Sequence, residues 1–113
     1  MVPERRANLR TACMLPIRML PRGDRQPIET LTKNLSLGGL MCVSPVERPI
    51  GTPVHLDLTL GRSHVEVAIH SRVAWFVSIP KSEQFYVGLA FDTISETIVR
   101  QLSTYIKFCS KSA

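Results

Sequence analysis

Two polar segments in the first forty residues have the residue types and spacing to bind an anionic ligand. The first is basic and contains Arg5, Arg6 and Arg10. The second, residues 34–40, reads Asn-Leu-Ser-Leu-Gly-Gly-Leu. Guanidinium groups make charge-assisted, bidentate contacts to phosphate, whereas Asn and Ser both donate and accept hydrogen bonds. Glycine permits a positive φ or a close approach of the backbone to a ligand. Together the segments predict a site for a ligand that carries phosphates and bases.

The distribution of charge supports an anionic partner. The 113-residue chain has a formal net charge of +5, and residues 1–25 hold six arginines against Glu4 and Asp24, so this segment carries +4. Arginine outnumbers lysine ten to four. The planar guanidinium group suits phosphate contacts and stacking better than an ammonium group does. The length is that of one domain with a single core.

Cysteine usage and hydropathy indicate a cytoplasmic protein. The three cysteines, Cys13, Cys42 and Cys109, are an odd number at wide spacing, which predicts no disulfide framework and favours free, buried thiols in a reducing compartment. No apolar run approaches the roughly 18 residues of a membrane span, so we expect no membrane insertion. Pro16 and Arg18 interrupt the first apolar patch, so we expect no signal peptide.

The sequence predicts neither an enzyme nor a metalloprotein. His64, Glu66 and His70 share one face of a predicted strand, but the two histidines are about 20 Å apart in extended chain, too far to share one ion. We find no nucleophile beside a base, no close pair of carboxylates and no phosphate-cradling loop of the Walker type. We therefore expect no catalytic residue, no metal and no cofactor.

Hydrophobic periodicity predicts a mainly β protein. Residues 1–10 have no apolar period, so we expect a flexible basic arm there and a folded domain over residues 11–113. Alternation of apolar and polar residues marks short strands separated by turn residues, with a bulge in the longest strand. The first predicted strand covers residues 11–20 and is at best an edge or bulged strand, because Pro16 lies within it. The other predicted strands are residues 28–33, 40–44, 54–60, 65–77 and 85–91.

The period changes from 2 to 3.6 after the last predicted strand. Thr93 and Glu96 have the spacing of a capping box, which predicts that Thr93 is the N-cap of a C-terminal helix. The helix has one apolar stripe, which consists of Ile94, Ile98, Leu102, Ile106 and Cys109 and is widened by Val99 and Tyr105. Six short antiparallel strands tend to close on themselves to remove exposed edges. We therefore expect a six-stranded antiparallel β-barrel covered on one side or end by an amphipathic helix.

This arrangement resembles the PilZ domain, a bacterial receptor module for cyclic di-GMP, over nearly the whole chain. The positions that match the family's R-x-x-x-R and D/N-x-S-x-x-G motifs are Arg6, Arg10, Asn34, Ser36 and Gly39. Residues 88–91 look like the family's final strand. The resemblance implies a six-stranded barrel with a C-terminal helix that binds the dinucleotide on its outer surface, beside the N-terminal arm.

The chemistry of the matching residues agrees with such a ligand, which offers two phosphates and two guanines. Arginine contacts phosphate or the Hoogsteen edge of guanine and stacks on the base. Asn34 and Ser36 provide the mixed donors and acceptors that a guanine edge needs, and Gly39 lets the backbone approach without a Cβ in the way. We therefore predict that these residues bind cyclic di-GMP.

The resemblance adds two further candidates. Arg5 directly precedes the R-x-x-x-R motif, and an arginine there looks like the family type that holds two stacked ligand molecules. A third guanidinium group would offset the repulsion among four phosphates. PilZ proteins often carry an aromatic residue near Trp75 that contacts a guanine. Strict alternation, however, places Trp75 on the core face of its strand, so core packing is the first expectation unless a bulge near Ser71 intervenes.

The predicted function is a cyclic di-GMP receptor or adaptor whose N-terminal arm orders on the ligand. The sequence carries no additional domain, so we expect the signal to pass to a separate effector protein. One alternative is a small barrel that binds single-stranded nucleic acid, but aromatics are few and the basic charge lies in the arm rather than along a sheet. Another is a PilZ-type protein adaptor that binds no nucleotide, although such members lack the two motifs present here.

Overall fold

The computed structural model describes residues 12–61 and 64–112, with side chains as far as Cys109. Within these residues six antiparallel strands form a closed barrel in the order β1-β2-β3-β6-β5-β4, followed by one helix. The elements are β1 (Pro16–Pro21), β2 (Ile28–Leu35), β3 (Gly39–Ser44), β4 (Pro53–Leu60), β5 (Val65–Ser78), β6 (Phe85–Phe91) and α1 (Glu96–Ser112). The predicted six-stranded antiparallel barrel with a C-terminal helix is confirmed.

The barrel interior is filled by the apolar residues of each alternating strand. In β4, every second residue from Val54 to Leu60 is at most 5% exposed, and the residues between them are half-buried. Because successive side chains of a strand point to opposite faces, this pattern gives one buried and one outer face. The outer face is therefore where a polar ligand can meet side chains of the barrel.

The chain before β1 is held by both the backbone and the side chain of Thr32, whose N–H donates to the Leu15 carbonyl oxygen at 3.0 Å. Thr32 is fully buried; its hydroxyl donates to the Cys13 carbonyl oxygen at 2.6 Å and accepts from the Leu15 N–H at 3.1 Å. The predicted strand over residues 11–20 therefore begins later, at Pro16. Proline is tolerated as the first residue of a strand because its missing N–H removes no central ladder bond there.

The strand β2 is longer than predicted. Its pairing with β3 shifts register between Thr32 and Asn34, which leaves Lys33 as an extra residue, and the strand continues to Leu35. Asn34 therefore lies in a strand opposite Met41, not in the turn where the sequence pattern placed it. The turn itself is confined to residues 36–38.

The helix α1 packs its apolar stripe on the barrel as predicted. Leu102 is fully buried, and its stripe neighbours Ile94, Ile98, Ile106 and Cys109 pack against the core. The predicted N-cap is wrong. The Ser95 hydroxyl accepts a hydrogen bond from the Ile98 N–H at 3.2 Å, so Ser95, not Thr93, caps the helix. Both residue types are good N-caps, so residue type alone does not decide between them.

The cysteines depart from expectation. Cys13 and Cys109 form a disulfide between the start of the described chain and the last turns of α1, with their Cα atoms 5.9 Å apart. The prediction of free thiols is wrong for this pair, because residues 96 positions apart meet only when α1 returns to the beginning of the barrel. Cys42 is free and buried; burial raises the pKa of its thiol to about 12, so it stays protonated near neutral pH.

Disulfides are uncommon in cytosolic proteins, so the Cys13–Cys109 disulfide does not support the predicted reducing compartment. No helix of the described part of the chain has the length and apolar character needed to cross a membrane.

Candidate ligand-binding site

The predicted site residues divide into two groups. Asn34, Ser36, Gly39 and Trp75 lie within the described residues. The three arginines, Arg5, Arg6 and Arg10, lie outside them, and their predicted role stays a prediction.

The loop between β2 and β3 is held by its own hydrogen bonds. The Ser36 hydroxyl donates to the Gly39 carbonyl oxygen at 3.2 Å and accepts from the Gly38 N–H at 3.1 Å. The Ser36 N–H donates to the same Gly39 oxygen at 2.9 Å, and the Phe91 N–H donates to the Gly38 oxygen at 2.8 Å. Because Ser36 is only 2% exposed, its side chain fixes the shape of the loop instead of presenting a hydroxyl to solvent.

Gly39 has a structural reason to lack a side chain. A Cβ at this position would overlap the Leu89 carbonyl oxygen and would lie 3.3 Å from the Ala90 Cα. Among the described glycines, positive φ angles occur at Gly23, Gly51 and Gly61, not in this loop. Gly39 therefore lets β3 approach β6 closely. The predicted approach of its backbone to a ligand is a separate hypothesis.

Trp75 lies on the outer face of the barrel. Val73 is opposite Leu89 and both are buried, but the next paired residue on β5 is Trp75, opposite Gly88, so Ala74 is an extra residue. This bulge reverses the alternation, and Trp75 is half-buried rather than part of the core. The expectation of core packing is therefore wrong. The bulge lies after Val73 instead of near Ser71.

The two bulges bring Asn34 and Trp75 to one surface. Thr32 and Val73 both face the core, and regular strands would turn Asn34 and Trp75 inward as well. The extra residue in β2 and the extra residue in β5 each turn the following side chain outward.

Four residues on neighbouring strands are paired in sequence from one of these side chains to the other. They are Asn34 on β2, Met41 on β3, Gly88 on β6 and Trp75 on β5. We call these four residues the outer row. At about 4.8 Å per strand, three strand spacings separate its ends by roughly 14 Å.

Arg72 is a further outward-facing cation near the loop that no sequence motif indicated. It lies on β5 opposite Ala90, which is in turn opposite Gly39 at the end of the loop. Its neighbours Ser71 and Val73 are buried, so Arg72 faces outward on the same side as the outer row. Its Nε donates to an oxygen of Asp92 at 3.1 Å, and both side chains are largely exposed. Alternation in β5 was the signal that could have revealed it.

The histidines do not form a metal centre. His64 lies in the turn before β5 with a φ of 56°, whereas His70 lies opposite His55 with the ring centroids 5.4 Å apart. A nitrogen of His55 is 3.3 Å from a carboxylate oxygen of Asp57. Over residues 12–61 and 64–112, no group of three or more His, Cys, Asp or Glu side chains is arranged to hold an ion.

A separate groove of about 980 Å³ lies between the β4–β5 turn and α1. Its apolar lining comes mainly from Pro16, Leu60, Val65, Tyr105 and Phe108. Of the predicted site residues that the structure describes, Asn34, Ser36, Gly39 and Trp75, none lines it. The proposed ligand surface and this groove are therefore distinct features of the molecule.

A family model, described as the PilZ domain, matches residues 4–108. The match covers most of the chain and includes the arginine segment, the loop between β2 and β3, and β6. The chain belongs to the PilZ domain family. A search of curated protein sequences finds no match.

Solved structures with the same fold include the inhibitor of motility MotI/DgrA of Bacillus subtilis, at a TM-score of 0.76 and 22% identity over 96% of this chain. The PilZ domain of Escherichia coli YcgR with c-di-GMP has a TM-score of 0.74 and 19% identity over 96% of this chain. The MrkH–c-di-GMP complex of K. pneumonia has a TM-score of 0.74 and 16% identity over the same share.

The chain spans 51% of the MotI/DgrA chain, 93% of the YcgR domain and 53% of MrkH. At these identities the likeness establishes the fold.

Proposed function

We propose that the protein is a receptor for cyclic di-GMP that binds the dinucleotide on the outer row and passes the signal to a separate protein. The observation that carries this proposal is the placement of Asn34 and Trp75 on one outer surface by two bulges. Membership of the PilZ domain family supports it, and two of the similar structures contain c-di-GMP.

Each residue has a distinct role in this proposal. Arg6 and Arg10 contact phosphates and the Hoogsteen edge of guanine through charge-assisted hydrogen bonds. The Asn34 amide contacts a guanine edge, and the Trp75 indole stacks on a base. Ser36 acts indirectly by holding the loop beside Asn34, since its hydroxyl is engaged within that loop.

The arm, residues 1–10, is proposed to order against the barrel when the ligand binds. Such coupling would change the surface that an effector protein meets. A receptor of an intracellular messenger acts in the cytoplasm, so the proposal includes that location. Amide exchange of residues 1–10 with and without cyclic di-GMP tests the ordering, and equal protection in both states would contradict it.

Calorimetric titration with cyclic di-GMP tests the binding itself, with single-stranded oligonucleotides as the competing ligand class. We expect Arg6→Ala and Arg10→Ala each to weaken binding roughly tenfold to more than a hundredfold, because each removes a charge-assisted contact. Arg25→Ala is the matched control, since it removes the same charge from an exposed position outside the motif. A parent protein that binds only oligonucleotides, or variants that bind like the parent, would overturn the proposal.

The same titration measures stoichiometry. We propose two cyclic di-GMP molecules per chain, with Arg5→Leu shifting the number toward one, because Arg5 offsets the mutual repulsion of the phosphates. Saturation of the parent at one molecule, or an unchanged two in Arg5→Leu, would remove Arg5 from this role.

A further inference from the structure

Gly88, in the middle of β6, lies directly beneath Trp75. A Cβ built on Gly88 would overlap Nε1 and Cε2 of the indole and would lie 2.7 Å from its Cδ1. The three atoms belong to the five-membered ring, so this ring occupies the space into which a side chain of Gly88 would project. Gly88 is buried although the outer face of β6 is not occupied by another strand layer.

Glycine within a strand weakens it, and its presence there often marks a close approach of another group. Here the approaching group is Trp75. Val87 and Leu89, the two neighbours of Gly88, are core residues, so position 88 faces outward, where a β-branched or aromatic residue would favour the strand. The absence of a side chain at position 88 therefore leaves room for the indole and does not stabilise the strand.

The position of this contact matters because Gly88 is the third member of the outer row. It is opposite Met41 on one side and Trp75 on the other. Trp75 lies against β6 and remains half-exposed, on the surface that ends at Asn34. Any side chain at position 88 would lift the ring away from β6.

We propose that Gly88 is a positioning residue: its missing side chain forms a seat that holds the Trp75 indole against β6 as a platform on which one guanine stacks. This inference rests on the proposed function and adds the residue that fixes the position of the Trp75 indole. A ring held in one orientation loses less entropy on binding than a ring that must first be ordered. Loss of a base–aromatic stack corresponds to about fivefold to more than a hundredfold in affinity.

The chain has a single tryptophan, so its fluorescence reports this seat directly. The variants are Gly88→Ala, Trp75→Ala and the double substitution. Ala68→Ser is the control, since it also adds one heavy atom to an exposed strand position, opposite Asp57 and outside the outer row. We expect Gly88→Ala to shift the Trp75 emission maximum in the ligand-free protein and Ala68→Ser to leave it unchanged.

Titration with cyclic di-GMP completes a double-mutant cycle. We expect Gly88→Ala to weaken binding at least fivefold, and to cause no further loss in the Trp75→Ala background, where no indole remains to be displaced. Additive losses, or an unchanged emission maximum in Gly88→Ala, would overturn the inference.

If Gly88→Ala does not fold, the comparison of Trp75→Ala with the double variant decides: equal affinity supports the seat and a further loss overturns it. A parent that does not bind the dinucleotide rejects the proposed function and the stacking role with it, while the emission shift still tests the seat alone.

Discussion

The bulges in β2 and β5 produce the same result by different means. Each inserts one residue, Lys33 or Ala74, and each turns the next side chain from the core to the outer face. The β2 bulge is flanked by polar contacts: Thr32 bonds the chain before β1, and Ser36 closes the following loop. The β5 bulge is followed by a shape contact, the indole of Trp75 over Gly88. One side of the outer row thus depends on hydrogen bonds and the other on packing.

This difference implies different sensitivities. Removing a partner from a buried hydrogen bond costs free energy of unfolding, whereas displacing the ring of Trp75, which lies on the outer face, is expected to change binding more than stability. Substitutions around the β2 bulge should therefore act on stability and affinity together. Substitutions around the β5 bulge should act mainly on affinity.

The largest effect on stability is expected from the disulfide, which is linked to the β2 side through the bond from Thr32 to the Cys13 oxygen. Cys109→Ser should lower the free energy of unfolding by about 2–4 kcal/mol, because the cross-link closes a long loop of the unfolded chain. Urea denaturation of the oxidised parent and the variant measures this. The emission maximum of Trp75 should be the same in both folded proteins. A shift would show that a change on the β2 side also alters the surroundings of Trp75 on the β5 side.

A smaller effect is expected from the loop after the β2 bulge. Ser36→Ala should lower the free energy of unfolding by about 0.5–1.5 kcal/mol, since it removes the hydroxyl that donates to the Gly39 oxygen and accepts from the Gly38 N–H. Ser82→Ala is the matched control, because its hydroxyl accepts an equivalent bond from the Gln84 N–H at an exposed turn. Equal urea midpoints for the two variants would contradict a structural role for Ser36.

The regular parts of the molecule could be predicted from the sequence, and the bulges explain most of what could not. In β4 and β6 alternation alone gives the strand and its buried face, because each residue has one partner and the period is unbroken. The length of β5 predicted that it contains a bulge, but the position of a bulge depends on the neighbouring strand as well, so neither Lys33 nor Ala74 is marked by its residue type. Alternation therefore placed Trp75 on the core face, whereas the bulge turns it outward.

The candidate site shows the same limit. The motif identified Asn34, Ser36 and Gly39 as a group, but it could not separate a ligand contact from a residue that shapes the loop. Ser36 is engaged in hydrogen bonds within that loop, and Gly39 is closely packed on Leu89. The disulfide was missed for a related reason: Cys13 and Cys109 meet only through the packing of α1 on the barrel.

The smallest effect is expected from Arg72, an exposed cation on the outer face of β5. Arg72→Ala should change the free energy of unfolding by less than about 1 kcal/mol, because its pair with Asp92 is exposed to solvent. It should nevertheless weaken binding of cyclic di-GMP a few-fold at low ionic strength, since one positive charge is lost beside the loop, and this difference should shrink as salt is added. Arg18→Ala is the matched control: it breaks a pair with Glu29 on β1 and β2 that is also exposed to solvent and lies outside the outer row. If both variants weaken binding equally at every salt concentration, the effect reflects total charge, and Arg72 has no local part in the site.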